Sequence, residues 1–208
     1  MNRARLSLLA LFAGIFLGLF QPAKAADPLR SFDTVIIDPG HGGQDRGGVP
    51  GQYVLEKVMC LDVSKRVEQK LRSARMRTYM TRTNDVFIPL GARVAAANGR
   101  SRSIFVSIHF NSAANRDARG VETYFYSSKS YLLAVAIQRR LIPIAAENRG
   151  IKRRGFYVLR NCRVPAVLVE CGFLTNREDA RLALSASYRD RLATQIAQGI
   201  LAVRRGSY

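Results

Sequence analysis

The chain has 208 residues, 48% of them apolar, and carries 33 Lys and Arg against 15 Asp and Glu, a formal net charge of +18. That length and apolar share suit one domain with a sizeable core, and no repeat, low-complexity linker or change of composition marks a second. Three cysteines, Cys60, Cys162 and Cys171, make an odd count that does not describe a disulfide framework, so small buried thiols are expected.

The first 25 residues read as an export address. Arg3 and Arg5 open it, an apolar run follows from Leu6 to Phe20, and Ala23-Lys24-Ala25 is a small-x-small cleavage site. The run is shorter than the roughly 20 residues a bilayer span requires, which favours cleavage after Ala25 over a retained anchor. The expected organisation is a signal peptide over 1–25 and a single domain over 26–208, with a periplasmic or secreted location and no stable membrane anchor after cleavage. Without Arg3, Arg5 and Lys24 the domain keeps a formal charge of +15. Such a charge favours a polyanionic partner. For an exported protein that partner is anionic wall polymer or lipid, and nucleic acid is not expected.

Thr34 to Asp38 is a β-branched run that enters a glycine-rich loop, Pro39-Gly40-His41-Gly42-Gly43, and reads as a buried strand. Leu55 to about Ala74 places Leu55, Val58, Met59, Val63, Val67 and Leu71 on one helical face. A strand is expected from Arg77 to Thr81, and a short helix from Pro89 to Asn98. Ile104 to Ile108 forms another buried strand ending at His109, and Gly120 to Tyr126 alternates as a sheet strand does. Ser130 to Ala146 reads as a helix weakened at Pro143. Phe156 to Leu159 and Ala166 to Val169 read as short strands, the second ending at Glu170. Helices near Asn176–Leu184 and Tyr188–Arg205 complete the chain. The pattern implies a single α/β domain: a largely parallel mixed central sheet of about six strands, covered by helices on both faces.

The chain has two histidines, His41 and His109, and each follows an apolar strand. In open α/β sheets ligands gather beyond the carboxyl ends of the strands. Glu170 should emerge at the same edge, where a carboxylate is costly unless something pairs with it. Glu56 opens the first long helix, and there a helix-dipole role is the ordinary reading. Asp38 and Asp45 bracket His41 and could orient it or compete with it. Two imidazoles and a carboxylate with an open fourth position form the ligand set of catalytic zinc, and a second carboxylate can then move protons. Spacing alone leaves open which glutamate does which.

The motifs Val35-Ile-Ile-Asp-Pro-Gly-His-Gly-Gly43, Leu55-Glu-Lys57, Thr81-Arg-Thr-Asn-Asp-Val-Phe87, Ser107-Ile-His-Phe-Asn111 and Leu168-Val-Glu-Cys-Gly-Phe-Leu-Thr-Asn176 appear in this order. Together they resemble the zinc-dependent N-acetylmuramoyl-L-alanine amidases with an amidase-3 type catalytic domain. The resemblance implies Zn2+ on His41, Glu56 and His109, with Glu170 as the catalytic carboxylate. It implies peptidoglycan as substrate, cut at the amide joining N-acetylmuramic acid to the L-alanine of the stem peptide. The alternative is an amidase-like protein that binds the wall or a partner without cutting it. Arg82 and Arg93 also match the family's pattern and are expected in structural ion pairs.

Substrate contacts are expected from Asn111, two residues past His109, and from Arg153 and Arg154 within the basic group Arg149, Lys152, Arg153, Arg154, Arg160 and Arg163. Some members of the family carry a regulatory helix inserted after the strand equivalent to Gly120–Tyr126. Here Ser127-Ser128-Lys129 leads directly into the next helix, so an open site is expected.

Overall fold

The computed structural model describes residues 28–207; the leader expected over 1–25 lies outside them. The elements in chain order are α1 (Pro28–Ser31), β1 (Thr34–Pro39), α2 (Glu56–Ser73), β2 (Arg77–Met80), α3 (Leu90–Asn98), β3 (Ser103–Asn111), β4 (Val121–Phe125), α4 (Tyr131–Leu141), β5 (Asn148–Arg153), α5 (Tyr157–Asn161), β6 (Ala166–Phe173), α6 (Arg177–Leu184) and α7 (Ala186–Arg205). The strands form one sheet in the order β2-β1-β3-β6-β4-β5. Its pairings are parallel except β4 against β6. Among the described residues no helix is long and apolar enough to cross a membrane.

Alternation along the strands divides the apolar side chains between two layers. Val35 and Ile37, then Ile104, Val106 and Ile108, then Val167 and Val169 face the larger core under α2, α4 and α7. Ile36, Phe105, Ala166 and Leu168 face a smaller one under α3 and α5. The long helices fit their side by period: Met59, Val63, Val67 and Leu71 of α2 recur every four residues and are all buried. By the same alternation Asp38, Ser107, His109 and Glu170 lie on the smaller-core face. There the first turns of α3 and α5 border a cavity at the carboxyl ends of the strands.

Two expectations are corrected. Phe156 to Leu159 is no strand: the chain turns at Phe156 into α5, which buries Val158 and Leu159 together in the smaller core. The edge position is taken instead by β5, whose sequence NRGIKR has a left-handed Gly150 and no buried residue, so no apolar alternation announced it. The helix expected from Ser130 to Ala146 is regular only to Leu141; Ile142–Ile144 tightens into a 3-10 turn around Pro143, which has no amide hydrogen to donate. All three cysteines are free thiols, Cys60 and Cys171 buried and Cys162 half-buried.

Candidate metal centre and active site

His41 lies in the loop after β1, in the left-handed region at φ 58°. Its backbone is strapped in place by two buried arginines. Arg93 pairs with Asp38 at 2.8 Å and donates to the carbonyls of Pro39 (2.6 Å), His41 (2.7 Å) and Ile88 (2.9 Å). Arg82 donates to the carbonyls of Pro39, Gly40, Asn84 and Lys57 at 2.6–3.1 Å. The expected ion pair is therefore found for Arg93; Arg82 binds main-chain oxygens instead. Asp38 also accepts from Thr81 and Ser107, so its carboxylate is satisfied within the fold and does not compete for a ligand.

Beside this strap the two histidines close on one carboxylate. Glu56, in the first turn of α2, presents Oε1 at 3.0 Å from Nε2 of His41 and 3.0 Å from Nδ1 of His109. The same oxygen accepts from the backbone N–H of Phe110 at 3.1 Å. One ligand atom from each of His41, Glu56 and His109 lies within 4.8 Å of the others. Asp45 holds the other face of His41, its Oδ2 2.9 Å from Nδ1, and so orients the ring. Two glycines leave room for the ligands. A Cβ on Gly40 would stand 2.3 Å from the His109 ring, and one on Gly47 would stand 2.5 Å from Glu56 Oε2 and 2.6 Å from the His41 ring.

The electrostatics favour a cation here. Burial works to neutralise Glu56, yet the hydrogen bonds and charges of His109 and His41 bring its pKa down to about 2. Burial likewise works against a charged His41, but Glu56 and then Asp45 raise its pKa. The histidines are partly exposed and Glu56 is not, so a ligand set with one open side faces the cavity. Two imidazole nitrogens, one carboxylate oxygen and that open side match the donor chemistry of catalytic zinc.

Glu170 ends the apolar stretch of β6 opposite His109 of β3. It is buried, and its Oε2 has no hydrogen-bond partner among the described residues. Burial first, then the charges of Glu56 and Glu122, pushes its carboxyl well above the usual range. His41, Glu56, His109 and Glu170 line one cavity of about 660 Å³, with Asn111 and an apolar rim of Phe87, Leu90, Phe156 and Tyr157. Those four rim side chains are all exposed.

A family model described as N-acetylmuramoyl-L-alanine amidase (Amidase_3) matches residues 35–202. The chain belongs to the N-acetylmuramoyl-L-alanine amidase family. This amidase-family chain is 40% identical over 192 residues to the uncharacterized protein YqiI of Bacillus subtilis, covering 90% of itself and 92% of that protein. It is 38% identical over 190 residues to the amidase LytC of the same bacterium, covering 88% of itself but only 38% of LytC. Among solved structures, the amidase AmiC2 of Nostoc punctiforme matches with a TM-score of 0.76 and 41% identity, over 81% of this chain and 94% of that one. An amidase of Clostridium difficile 630 matches with a TM-score of 0.77 and 35% identity, over 83% and 96%.

The other expected contacts of the amidase lie differently. Asn111 lines the cavity with both ends of its amide engaged: Nδ2 donates to Glu122 at 2.7 Å and Oδ1 accepts from the Ser112 N–H at 2.8 Å. Arg153 and Arg154 are exposed, outside the cavity lining, and donate to the carbonyls of Tyr126 and Arg153 respectively. Lys152 and Arg149 of the same basic group turn inward and pair with Glu122. Sequence reasoning missed Glu122 and the apolar rim. The rim had one signal, the run Val86-Phe87-Ile88 in a stretch with neither helical nor strand period.

Proposed function

We propose that this chain is an exported, zinc-dependent hydrolase that cuts the amide between N-acetylmuramic acid and the L-alanine of the stem peptide in peptidoglycan. The observation that carries the reading is the convergence of His41, Glu56 and His109 beside the unpartnered carboxyl of Glu170, in a chain that matches the amidase family over most of its length. His41, Glu56 and His109 would hold the zinc, with Asp45 fixing the His41 ring. Bound there, zinc supplies Lewis acidity, which polarises an amide carbonyl and makes water acidic enough to attack near neutral pH.

The remaining steps belong to the protein. Glu170, in reach of the same cavity, accepts the proton of the attacking water and delivers it to the departing amine. A carboxyl that burial and neighbouring charge make a strong proton holder suits the second half of that task. The exposed rim of Phe87, Leu90, Phe156 and Tyr157 packs against apolar parts of the substrate and excludes water. Asn111 shapes the cavity wall, while Arg153 and Arg154 act on carboxylates of the polymer that extend beyond the cavity. Between β4 and α4 the chain makes only a single turn over Ser128–Ser130, so no inserted segment has to be displaced.

The test is zinc content and product identity for the chain from Ala26 on purified sacculi, with Glu170→Ala beside it. The parent should release free stem peptides from intact glycan strands with no added partner. The variant should keep its zinc and lose the activity. Sacculi that bind the parent but yield no stem peptide would leave a wall-binding protein rather than an enzyme.

A further inference from the structure

The edge of the sheet opposite the metal centre is a basic surface with an unusual backbone. Among the described residues three non-glycines adopt a left-handed conformation: His41, Arg75 and Arg102. The two arginines both sit where chain enters an amino end of the sheet. Arg75 terminates α2, with its N–H donating to Arg72 and that of Met76 to Leu71, the pattern in which glycine is the usual residue. Arg102, at φ 53°, precedes β3 and turns its carbonyl inward to the N–H groups of Asp33 and Thr34 at 2.9 and 3.4 Å. In each place a side chain costs conformational energy that glycine would avoid. Backbone geometry therefore does not account for arginine at either position.

What the two positions share is their surroundings. Arg77 and Ser103 both pair with Thr34 in the sheet register, so the entries to β2 and β3 flank that of β1. Arg77, Arg100 and Arg102 line a shallow concavity of about 560 Å³ with Asp33 and Tyr79. Arg100 stacks 3.4 Å above the Tyr79 ring. Asp33 pairs with Arg77 at 2.5 Å and Arg102 at 3.4 Å, and is the one acid in that lining. The Arg77 and Arg102 side chains are 70% and 66% exposed. Arg77 and Arg102 thus face outward around a single carboxylate, with Arg100 half-buried on Tyr79 beside them and Arg75 exposed at the end of α2.

We propose that this edge, formed by Arg75, Arg77, Arg100 and Arg102, docks on the anionic phosphate headgroups of a lipid bilayer. Two observations favour a membrane over a soluble phosphate polymer. The 27 residues before the described fold, with their apolar run Leu6–Phe20, join it through α1 and Asp33 at this edge. An apolar run of that kind suits a bilayer, and the described chain begins beside this face. Second, His109 lies seven residues beyond Arg102 along β3, about 23 Å, so a bilayer here leaves the cavity pointing away from it. Guanidinium forks suit phosphate, and each basic residue at such a surface adds a modest increment to binding. The inference is independent of the reaction proposed above.

The test is co-sedimentation of the chain from Ala26, which contains every residue of the described core, with vesicles of mixed phosphatidylglycerol and phosphatidylcholine. The parent should bind these and not vesicles of phosphatidylcholine alone. The double variant Arg75→Gly/Arg102→Gly should bind about thirtyfold more weakly, with a melting temperature equal to or above the parent's. Arg177→Gln/Arg181→Gln removes the same charge on α6, beyond the carboxyl end of β6, and should change binding less than about threefold. Equal losses in the two double variants would overturn the assignment, as would equal binding to neutral vesicles. Loss of binding accompanied by a lowered melting temperature, or binding to soluble polyphosphate as tight as to anionic vesicles, would overturn it too.

Discussion

Glu122 of β4 stands directly opposite Glu170 of β6, two carboxylates in antiparallel register on the same face of the sheet. Their surroundings separate them. Burial works to raise the pKa of Glu122, but Lys152 and Tyr124, with Arg149 beyond, bring it below the usual carboxylate value. Glu170 has no such partners and moves the other way. One of the pair is thereby fixed as a structural anion, and the other is left free to carry a proton.

That division makes Glu122 a source of stability with a known pH sense. A carboxylate whose pKa is depressed by folding stabilises above its unfolded value and loses that contribution as pH falls through its folded value. Glu122→Gln should be about 1–3 kcal/mol less stable than the parent at neutral pH. The gap should narrow on acidification below about pH 4.5, the ordinary value of the group. Thermal unfolding of both chains across that range checks it; a gap independent of pH would remove the ion pairs from the account.

Gly40 adopts an ordinary backbone conformation, so alanine there is objectionable only for what its methyl meets. It would stand within 2.3 Å of the His109 ring. Gly40→Ala should leave the circular dichroism spectrum unchanged, lower zinc content, and cut activity on sacculi about a hundredfold. Normal zinc with normal activity would show that His109 has room to move.

Asp45 meets the candidate metal ligands through Nδ1 of His41. Asp45→Asn should weaken zinc binding about tenfold, the low end for a lost ligand-orienting carboxylate, without lowering the melting temperature appreciably. A competition titration with a zinc chelator reads the affinity directly. Unchanged affinity would mean that the His41 ring is fixed by its backbone alone.

Arg93 pairs with Asp38 where both side chains are nearly inaccessible, 3% and 1% exposed. Arg93→Met leaves a buried carboxylate without its guanidinium and should cost about 3–5 kcal/mol in urea unfolding. Asp38→Asn added to it should recover part of that loss. Additive losses in the double variant would show that the carbonyl bonds of Arg93, not its charge, hold the loop.

How much of this could be read in advance follows from where each signal resides. β1, β3 and β6 are buried on both faces and announce themselves as continuous apolar runs, and His41, His109 and Glu170 follow from their ends. Spacing shows Glu56 only as a helix opener, because its meeting with His109 spans 53 residues of sequence; its place beside both histidines comes from the family resemblance. β5 was invisible, since an exposed edge strand containing Arg149, Gly150 and Lys152 has no reason to alternate. Val158 and Leu159 could serve a strand or one turn of helix equally well, and only the occupied sheet edge decides between them. Glu122 looked like the polar half of an alternating strand. Its buried network depends on Lys152, which belongs to the strand that was missed.

The unequal layers have an evolutionary reading. Most of the apolar packing lies beneath α2, α4 and α7, while the wall of the catalytic cleft rests on α3 and α5, nine and five residues long. Leu90, Phe156 and Tyr157 are exposed, so changes there can reshape the cavity rim while drawing little on stability. A scaffold built this way can vary its cavity rim on one side of the sheet while the other side keeps it folded.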